Sequence, residues 1–243
     1  MKQLLDRVAI VTGASSGIGQ AIAEAYAGEG AKMVLAARRR ARLEAVADGI
    51  RKKGGTAEVT PTDVSLEEDV LELFRRTIEA FGRVDILVNN AGTSTWTPTD
   101  QLTLQAWREV LDVNLTGAFL CSREALKIMK RQRGGRIINI GSTSAKVPRP
   151  HSAPYTTSKF ALEGLTRSLA LDGREHGIAV SILQPGNTAS AMWHGKEEQA
   201  RKEGVMPPND LARIAVMIAA LPPDMNLLES VVLPLSMPFL GRG

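Results

Sequence analysis

Val8-Ala9-Ile10-Val11-Thr12-Gly13-Ala14-Ser15-Ser16-Gly17-Ile18-Gly19 decides the fold. Four consecutive apolar residues, 8–11, read as a short strand covered on both faces. Beyond the glycines, Ile18, Ile22, Ala25 and Tyr26 recur on one face of a helix. A strand that turns through glycine into a helix is the opening unit of an alternating chain. Glycine permits the tight turn and lets backbone N–H groups approach an anion at the helix N-terminus. The spacing is G-x-x-x-G-x-G, not the G-x-G-x-x-G of the common dinucleotide turn. No Gly-Lys-Ser/Thr follows, so a nucleotide-hydrolase phosphate loop is excluded. An ordinary glycine turn is the competing reading.

The same alternation continues outward. Further strands are expected at 32–37, 57–61, 85–88, 136–140, 178–183 and 231–235. Helices are expected through Leu43, Val46 and Ile50, then at 66–81, 104–131 (one or more), 154–175 and 210–221. Alternating strands and helices predict right-handed βαβ units in an α/β fold. The expected sheet is parallel, seven-stranded and doubly wound, with helices on both faces. Neither repeat nor linker interrupts residues 1–243, which predicts one domain. The long irregular stretch 186–208 follows a strand's carboxyl end, where ligands bind in such sheets. It is the expected substrate loop.

Composition sets the class. The chain has 243 residues, 44% hydrophobic and 23% charged, with net charge +4. These proportions are ordinary for a soluble globular protein. No apolar run approaches the ~18 residues of a membrane span. The first seven residues lack the apolar core of a secretion signal. A lone Cys121 precludes an intrachain disulfide and fits a reducing compartment, so a cytoplasmic location is expected. Cys121 lies in an apolar helical pattern and reads as packing. His151, His176 and His194 lack metal-ligand spacing, so no metal is expected. Trp96, Met192 and Trp193 follow strand ends and suit either a pocket wall or lid packing.

The densest basic run, Arg38-Arg39-Arg40 with Arg42, follows the second strand. It could be a solvated helix start, a nucleic-acid patch or an anion site. A nicotinamide dinucleotide site without a 2′-phosphate places Asp or Glu here. No acid is present, and arginine suits a 2′-phosphate by charge and by its forked donors. The run therefore favours NADP(H) over NAD(H).

Tyr155-Thr156-Thr157-Ser158-Lys159 puts tyrosine and lysine four apart, on one helical face. Pro154 is tolerated in a helix's first turn, which places Tyr155 near the start. Alone the pair is a weak signal. Ser142, however, follows the strand 136–140, and Asn89-Asn90-Ala91-Gly92 follows another strand in the same way. Asn114 interrupts a helical pattern, where asparagine is unfavourable without a local reason.

Taken together, Thr12 to Gly19, Asn89 to Gly92, Asn114, Ser142, Tyr155 with Lys159, and Pro185-Gly186 resemble the short-chain dehydrogenase/reductase family. The glycine spacing and the length resemble its shorter branch. The resemblance implies a Rossmann-type fold and a catalytic set of Asn114, Ser142, Tyr155 and Lys159. Tyr155 would be the general acid in carbonyl reduction and the base in reverse. Ser142 would bond the substrate oxygen. Lys159 would hold the nicotinamide ribose, and Asn114 a relay water. Gly13, Ser15, Ser16, Gly17, Ile18 and Gly19 would cradle the pyrophosphate, with Arg38 and Arg39 on the adenosine phosphate. Asp63 and Val64 would contact adenine, although Asp63 could instead cap the following helix. Asn90, Ala91 and Gly92 would line the adenosine ribose, while Pro185, Gly186, Thr188 and Ser190 would meet the nicotinamide. Gly141 stands where the family often has serine, and Ser190 where it often has threonine.

Tyrosine has an ordinary pKa of ~10, too high for a base at neutral pH. A cation about 4–5 Å away at effective dielectric ~20 would favour the phenolate by roughly 3–4 kcal/mol before desolvation. Lys159 is expected to supply it. The expected activity is that of a ketoreductase or alcohol dehydrogenase acting on a small carbonyl or secondary alcohol. An NAD(H)-dependent enzyme of the same type is the first alternative. A non-catalytic dinucleotide-binding redox sensor is another, but it would be expected to have lost Tyr155, Lys159 or Ser142. Nucleic-acid binding through the arginines is a third, and neither nucleic acid nor membrane is expected as a partner. The resemblance also implies a homotetramer or homodimer.

Overall fold

A computed structural model describes residues 2–189, 198 and 202–239. Strands β1 (Val8–Thr12), β2 (Lys32–Ala37), β3 (Thr56–Pro61), β4 (Ile86–Asn89), β5 (Gly135–Ile140), β6 (Ile178–Pro185) and β7 (Glu229–Val232) form one sheet. Their order is β3-β2-β1-β4-β5-β6-β7, and every pairing is parallel. This is the doubly wound, Rossmann-like arrangement expected. The helices are α1 (Gly17–Gly28), α2 (Arg40–Lys52), α3 (Glu67–Phe81), α4 (Leu104–Leu111), α5 (Gly117–Gln132), α6 (Ala153–Arg174) and α7 (Pro208–Ala220).

Strand side chains alternate between the two faces, so each face has its own core. Ala9, Val11, Met33 and Leu35 pack with Ile22 and Tyr26 of α1, Leu43 of α2 and Ala215 of α7. Ile10, Val34, Leu87 and Ile137 pack with Leu73 of α3, Cys121 and Met129 of α5 and Leu169 of α6. Cys121 is thus packing, and burial pushes its thiol up to about 12. Among the described residues, no helix is long and apolar enough to cross a membrane.

The chain reverses its direction of growth between β1 and β4, which opens a crevice at their carboxyl ends. Thr12 fastens that point. Its hydroxyl donates to the Val88 carbonyl at 3.3 Å and accepts from the Asn90 and Ala91 amides at 3.0 and 3.1 Å.

Two strand bounds are corrected, and the helical segment 104–131 is resolved into its parts. The last strand is Glu229–Val232 rather than 231–235. Its partner β6 sets the register from Ile182 opposite Glu229 to Pro185 opposite Val232, and Pro234 has no N–H to extend a ladder. Asp85 precedes β4 instead of starting it. It lies buried, where its carboxylate accepts the Val8 amide at 2.9 Å and two bonds from Arg83. The segment 104–131 is α4, one wide π-type turn at Asp112–Thr116, and α5. Such a turn inside a helix often marks a functional site.

Candidate active site

Two adjoining cavities of about 210 and 620 Å³ occupy the carboxyl-end crevice. They share Ile18, Asn90, Gly92 and Thr93 in their walls. The larger is lined by the glycine turn, Arg38, Arg39, Asp63, Val64 and Ala91. The smaller is lined by Ser142, Tyr155, Lys159, Pro185, Gly186 and Thr188. Ser190, Met192, Trp193 and His194 lie outside the described residues.

The glycine turn has the shape of an anion cradle. Gly13 and Gly17 adopt φ of +66° and +57°, which glycine alone takes without strain. A Cβ on Gly13 would stand 2.8 Å from Asn90 Nδ2 and 2.9 Å from Ala91 Cα, so strand and loop meet on bare backbone there. A Cβ on Gly17 would touch nothing within 4 Å. Gly17 therefore borders open space at the N-terminus of α1. Ser16 caps that helix without a side-chain hydrogen bond, and the first turn carries no acid. Its N–H groups are left for an anion. These features fit a dinucleotide pyrophosphate.

Arg38 and Arg39 are exposed where β2 ends. Arg39 Nη2 donates to Ser15 Oγ at 3.2 Å, which brings a guanidinium onto the glycine turn. Asp63 does not cap α3, whose N-cap is Leu66 without a side-chain hydrogen bond. Asp63 lines the cavity, and its Oδ1 accepts from Ser65 N and Oγ at 3.1 and 2.6 Å, shaping the approach to α3.

Ser142, Tyr155, Lys159 and Asn114 converge from β5, α6 and the π-type turn. Pro154 sits in the first turn of α6, as expected. The Ser142 hydroxyl lies near enough to the Tyr155 phenol to lower its pKa, and Ser142 Oγ accepts from Ser144 N at 3.1 Å. Lys159 Nζ lies 5.6 Å from the centre of the Tyr155 ring and donates to the Ile140 carbonyl at 2.8 Å. Asn114 Oδ1 accepts from Thr93 N at 2.8 Å. Its Nδ2 donates to Thr93 O at 2.9 Å and Ser158 Oγ at 3.0 Å. Those bonds are the local reason for an asparagine here. They tie the loop after β4 to α6, and one lone pair of Oδ1 is left for a water.

The electrostatics reverse one expectation. Burial pushes the Tyr155 phenol above its ordinary value, only partly offset by the nearby Ser142 hydroxyl. Burial likewise lowers Lys159 to about 8. Desolvation disfavours both charged forms and is the largest cause of each shift. Tyr155 is protonated at neutral pH in this form of the protein.

Sequence reasoning missed several groups at the cavity. Thr93 lines it directly and is bonded to Asn114. Arg149 and Asn187 also line it, and Glu203 bonds both. No local spacing marks these residues, although Asn187 directly follows Pro185-Gly186. Trp96, which the sequence offers as pocket wall or lid packing, is not among the missed groups. It lines the cavity with its ring centre 6.4 Å from that of Tyr155, which supports the pocket-wall reading. His151 is an exposed loop residue at φ +61°, and its carbonyl accepts from Thr97 N at 3.0 Å.

Known proteins agree with this geometry. Residues 7–201 match the short chain dehydrogenases. The chain is 37% identical to an uncharacterized oxidoreductase of Staphylococcus saprophyticus, over 96% of this chain and 100% of that one. It is 38% identical to a 3-oxoacyl-[acyl-carrier-protein] reductase of a Synechocystis species, over 79% of this chain and 78% of the relative. A metagenomic short-chain oxidoreductase crystallised with NADP superposes with a TM-score of 0.84 at 33% identity, covering 96% of this chain and 98% of that one. A parallel sheet with its crevice at the β1–β4 switch, joined to a match over most of the length, places the chain in the short-chain dehydrogenase/reductase family, as an NAD(P)-dependent oxidoreductase.

Proposed function

We propose that the protein is an NADP(H)-dependent ketoreductase or alcohol dehydrogenase with Tyr155 as its acid and base. The observation that carries this reading is the convergence of Tyr155, Ser142 and Lys159 in a cavity that shares walls with the anion cradle. When bound, the nicotinamide supplies hydride to the carbonyl carbon or accepts it from the alcohol. The protein's own groups handle the oxygen and its proton. Ser142 donates a hydrogen bond to the substrate oxygen. Tyr155, kept protonated by burial, donates its phenolic proton to that oxygen during reduction. Lys159 holds the cofactor ribose and stabilises the phenolate left behind. A water on Asn114 Oδ1 passes a proton back toward Lys159.

Arg38 and Arg39 support the phosphorylated cofactor. Both stand directly after β2, where the sequence has no acid, and Arg39 already reaches the glycine turn. The NADP carried by the metagenomic relative agrees with this choice. The substrates named for relatives differ, so the reacting group is proposed and the rest of the substrate is a separate question.

The test is oxidation of NADPH and NADH over a broad carbonyl panel, repeated with Tyr155→Phe. The wild type is expected to turn over a carbonyl with NADPH, and the variant to lose roughly 10²- to 10⁴-fold in kcat. Near-normal turnover by Tyr155→Phe would remove Tyr155 from the proton transfer.

A further inference from the structure

The wall of the catalytic cavity contains a second cation besides Lys159. Arg149 sits between Pro148 and Pro150, in the segment joining Ser142 to Tyr155. Two prolines restrict φ on either side and stiffen the backbone that presents it. Its side chain is 22% exposed and lines the cavity. Nη2 donates to Glu203 Oε2 at 2.6 Å and to Asn187 Oδ1 at 3.0 Å. Asn187, 7% exposed, donates in turn to Glu203 Oε2 at 3.0 Å and to the Gly204 carbonyl at 3.2 Å. The Ala189 amide donates to Met206 O, and the Met206 amide to Asn187 O, each at 2.9 Å. Two chain segments, one leaving β6 and one approaching α7, are thus clasped side by side against Arg149.

Nothing in the proposed reduction uses this cluster, yet its chemistry restricts what can lie beside it. Glu203 balances the guanidinium charge. Both Nη2 hydrogens are spent, and Nη2 belongs to each of the two edges by which arginine grips a carboxylate as a fork. The donors left, Nε and Nη1, have no partner among the described residues. They can give only single hydrogen bonds, and only to acceptors. Hydroxyl and carbonyl oxygens suit them. A substrate carboxylate would have to share the guanidinium with Glu203 against like-charge repulsion. Trp96 adds an apolar face beside Tyr155 for carbon and hydrogen atoms.

We propose that Arg149, held by Glu203 and Asn187, is a specificity determinant that selects neutral carbonyl compounds bearing hydroxyl groups, such as hydroxylated ketones. This rests on the ketoreductase reading above. Glu203 sets the charge balance, and Asn187 fixes the orientation of the guanidinium.

The experiment measures kcat and KM with NADPH for ketones matched in length in three sets: hydroxylated, carboxylate-bearing and hydrocarbon. Wild type, Glu203→Gln and the double variant Arg149→Gln/Glu203→Gln are compared. The double variant removes both charges of this pair together, and NADPH binding with the melting temperature verifies its fold. Wild type is expected to favour hydroxylated ketones by roughly 10- to 100-fold in kcat/KM, the value of hydrogen bonds to a charged group. The double variant should lose that preference through KM more than kcat. Glu203→Gln, which leaves the guanidinium charge unbalanced, should shift preference toward carboxylate-bearing ketones by about tenfold or more. A wild-type preference for hydrocarbon or carboxylate-bearing ketones that all variants retain would overturn the inference and leave the ketoreductase reading standing. If wild type bound NADPH but reduced none of the ketones, both would fall.

Discussion

Lys159 Nζ donates a 2.8 Å hydrogen bond to the backbone carbonyl of Ile140. Ile140 ends β5, and Ser142 lies two residues on, so one bond registers α6 against the strand that delivers Ser142. The bond also holds the ammonium beside Tyr155, 5.6 Å from its ring centre. Side chains 13 and 17 residues beyond Ser142 in sequence are set in place by a contact that is itself part of the sheet-to-helix packing. The arrangement has an energetic cost, because a buried ammonium with one backbone acceptor is incompletely compensated.

That cost is measurable. Burial lowers Lys159 from 10.5 to about 8. Below pH 8 both folded and unfolded chains carry the proton, and the penalty stands in full, on the order of 3 kcal/mol. Between pH 8 and 10.5 the unfolded lysine keeps a proton that the folded one has released, so this group's contribution to stability rises with pH. Cys121 acts in the opposite sense above its ordinary value of 9.0, because its folded thiol is pushed up to about 12. Comparison with Lys159→Met cancels the cysteine. Urea unfolding of the cofactor-free proteins from pH 7 to 10 should show wild type gaining on the variant as pH rises. A difference that stays flat would mean that Lys159 is not desolvated in this way.

Asn114→Ala tests the brace across the π-type turn. The substitution removes three hydrogen bonds, two of them to the Thr93 amide and carbonyl. A loss of about 0.5–1.5 kcal/mol in unfolding free energy per bond is expected, the net value of a hydrogen bond, because Thr93 is exposed and water can replace its partners. Because Thr93 lines both cavities, kcat should fall by roughly tenfold or more even at saturating cofactor. A variant with wild-type stability and turnover would show that Thr93 finds its partners elsewhere.

Much of this architecture was legible along the chain because it is written in local periods. The run Val8–Val11, the turn at Gly13 and Gly17, and the stripe from Ile18 to Tyr26 predict β1 and α1 without reference to anything distant. The slip at β7 has the opposite cause. Val231-Val232-Leu233 continues the apolar pattern, but the ladder is chosen by Ile182 to Pro185 of β6, far away in sequence. Asn114 was legible as a misfit inside a helix, while its partners Thr93 and Ser158 were not. The Arg149–Asn187–Glu203 cluster left no trace, since the fold alone brings positions 149, 187 and 203 together. Burial explains the reversal at Tyr155: the pull of a neighbouring cation can be read from spacing, whereas desolvation depends on what closes over the pair.

The glycine turn permits a paired comparison. Gly13→Ala and Gly17→Ala both place a Cβ at positive φ, which costs roughly 1–2 kcal/mol each. Only at Gly13 would the methyl also meet neighbouring atoms, 2.8 Å from Asn90 Nδ2 and 2.9 Å from Ala91 Cα. Gly17→Ala should therefore lower the melting temperature of the cofactor-free protein by a few degrees, about 2–4 °C per kcal/mol, and Gly13→Ala by clearly more. Cofactor affinity should reverse the order of interest. Gly17 faces open space, so its methyl should obstruct the pyrophosphate and weaken NADPH binding well beyond what the small stability loss implies. Equal cofactor affinity in wild type and Gly17→Ala, by titration calorimetry, would mean that the anion does not sit at this turn.

Cofactor choice should follow the two arginines at the end of β2. Arg39 is already drawn to Ser15 Oγ at 3.2 Å, and Arg38 is exposed in the wall of the same cavity. Neither has been placed in the core, so their removal should leave folding nearly intact. A charge-assisted hydrogen bond to a phosphate is worth about 1.5–3 kcal/mol. Arg38→Ala/Arg39→Ala should thus weaken NADPH by roughly 10- to 150-fold per bond lost and change NADH affinity little, because NADH carries no 2′-phosphate for them to meet. Raising the salt concentration should narrow the wild-type preference, since exposed charges are screened. Affinities for both cofactors, measured in both proteins at low and high salt, separate this from a general electrostatic attraction, which would lower NADH and NADPH binding together. If the double variant still preferred NADPH by the wild-type margin, the phosphate would have to be recognised by other residues, and the basic run would revert to a solvated start of α2.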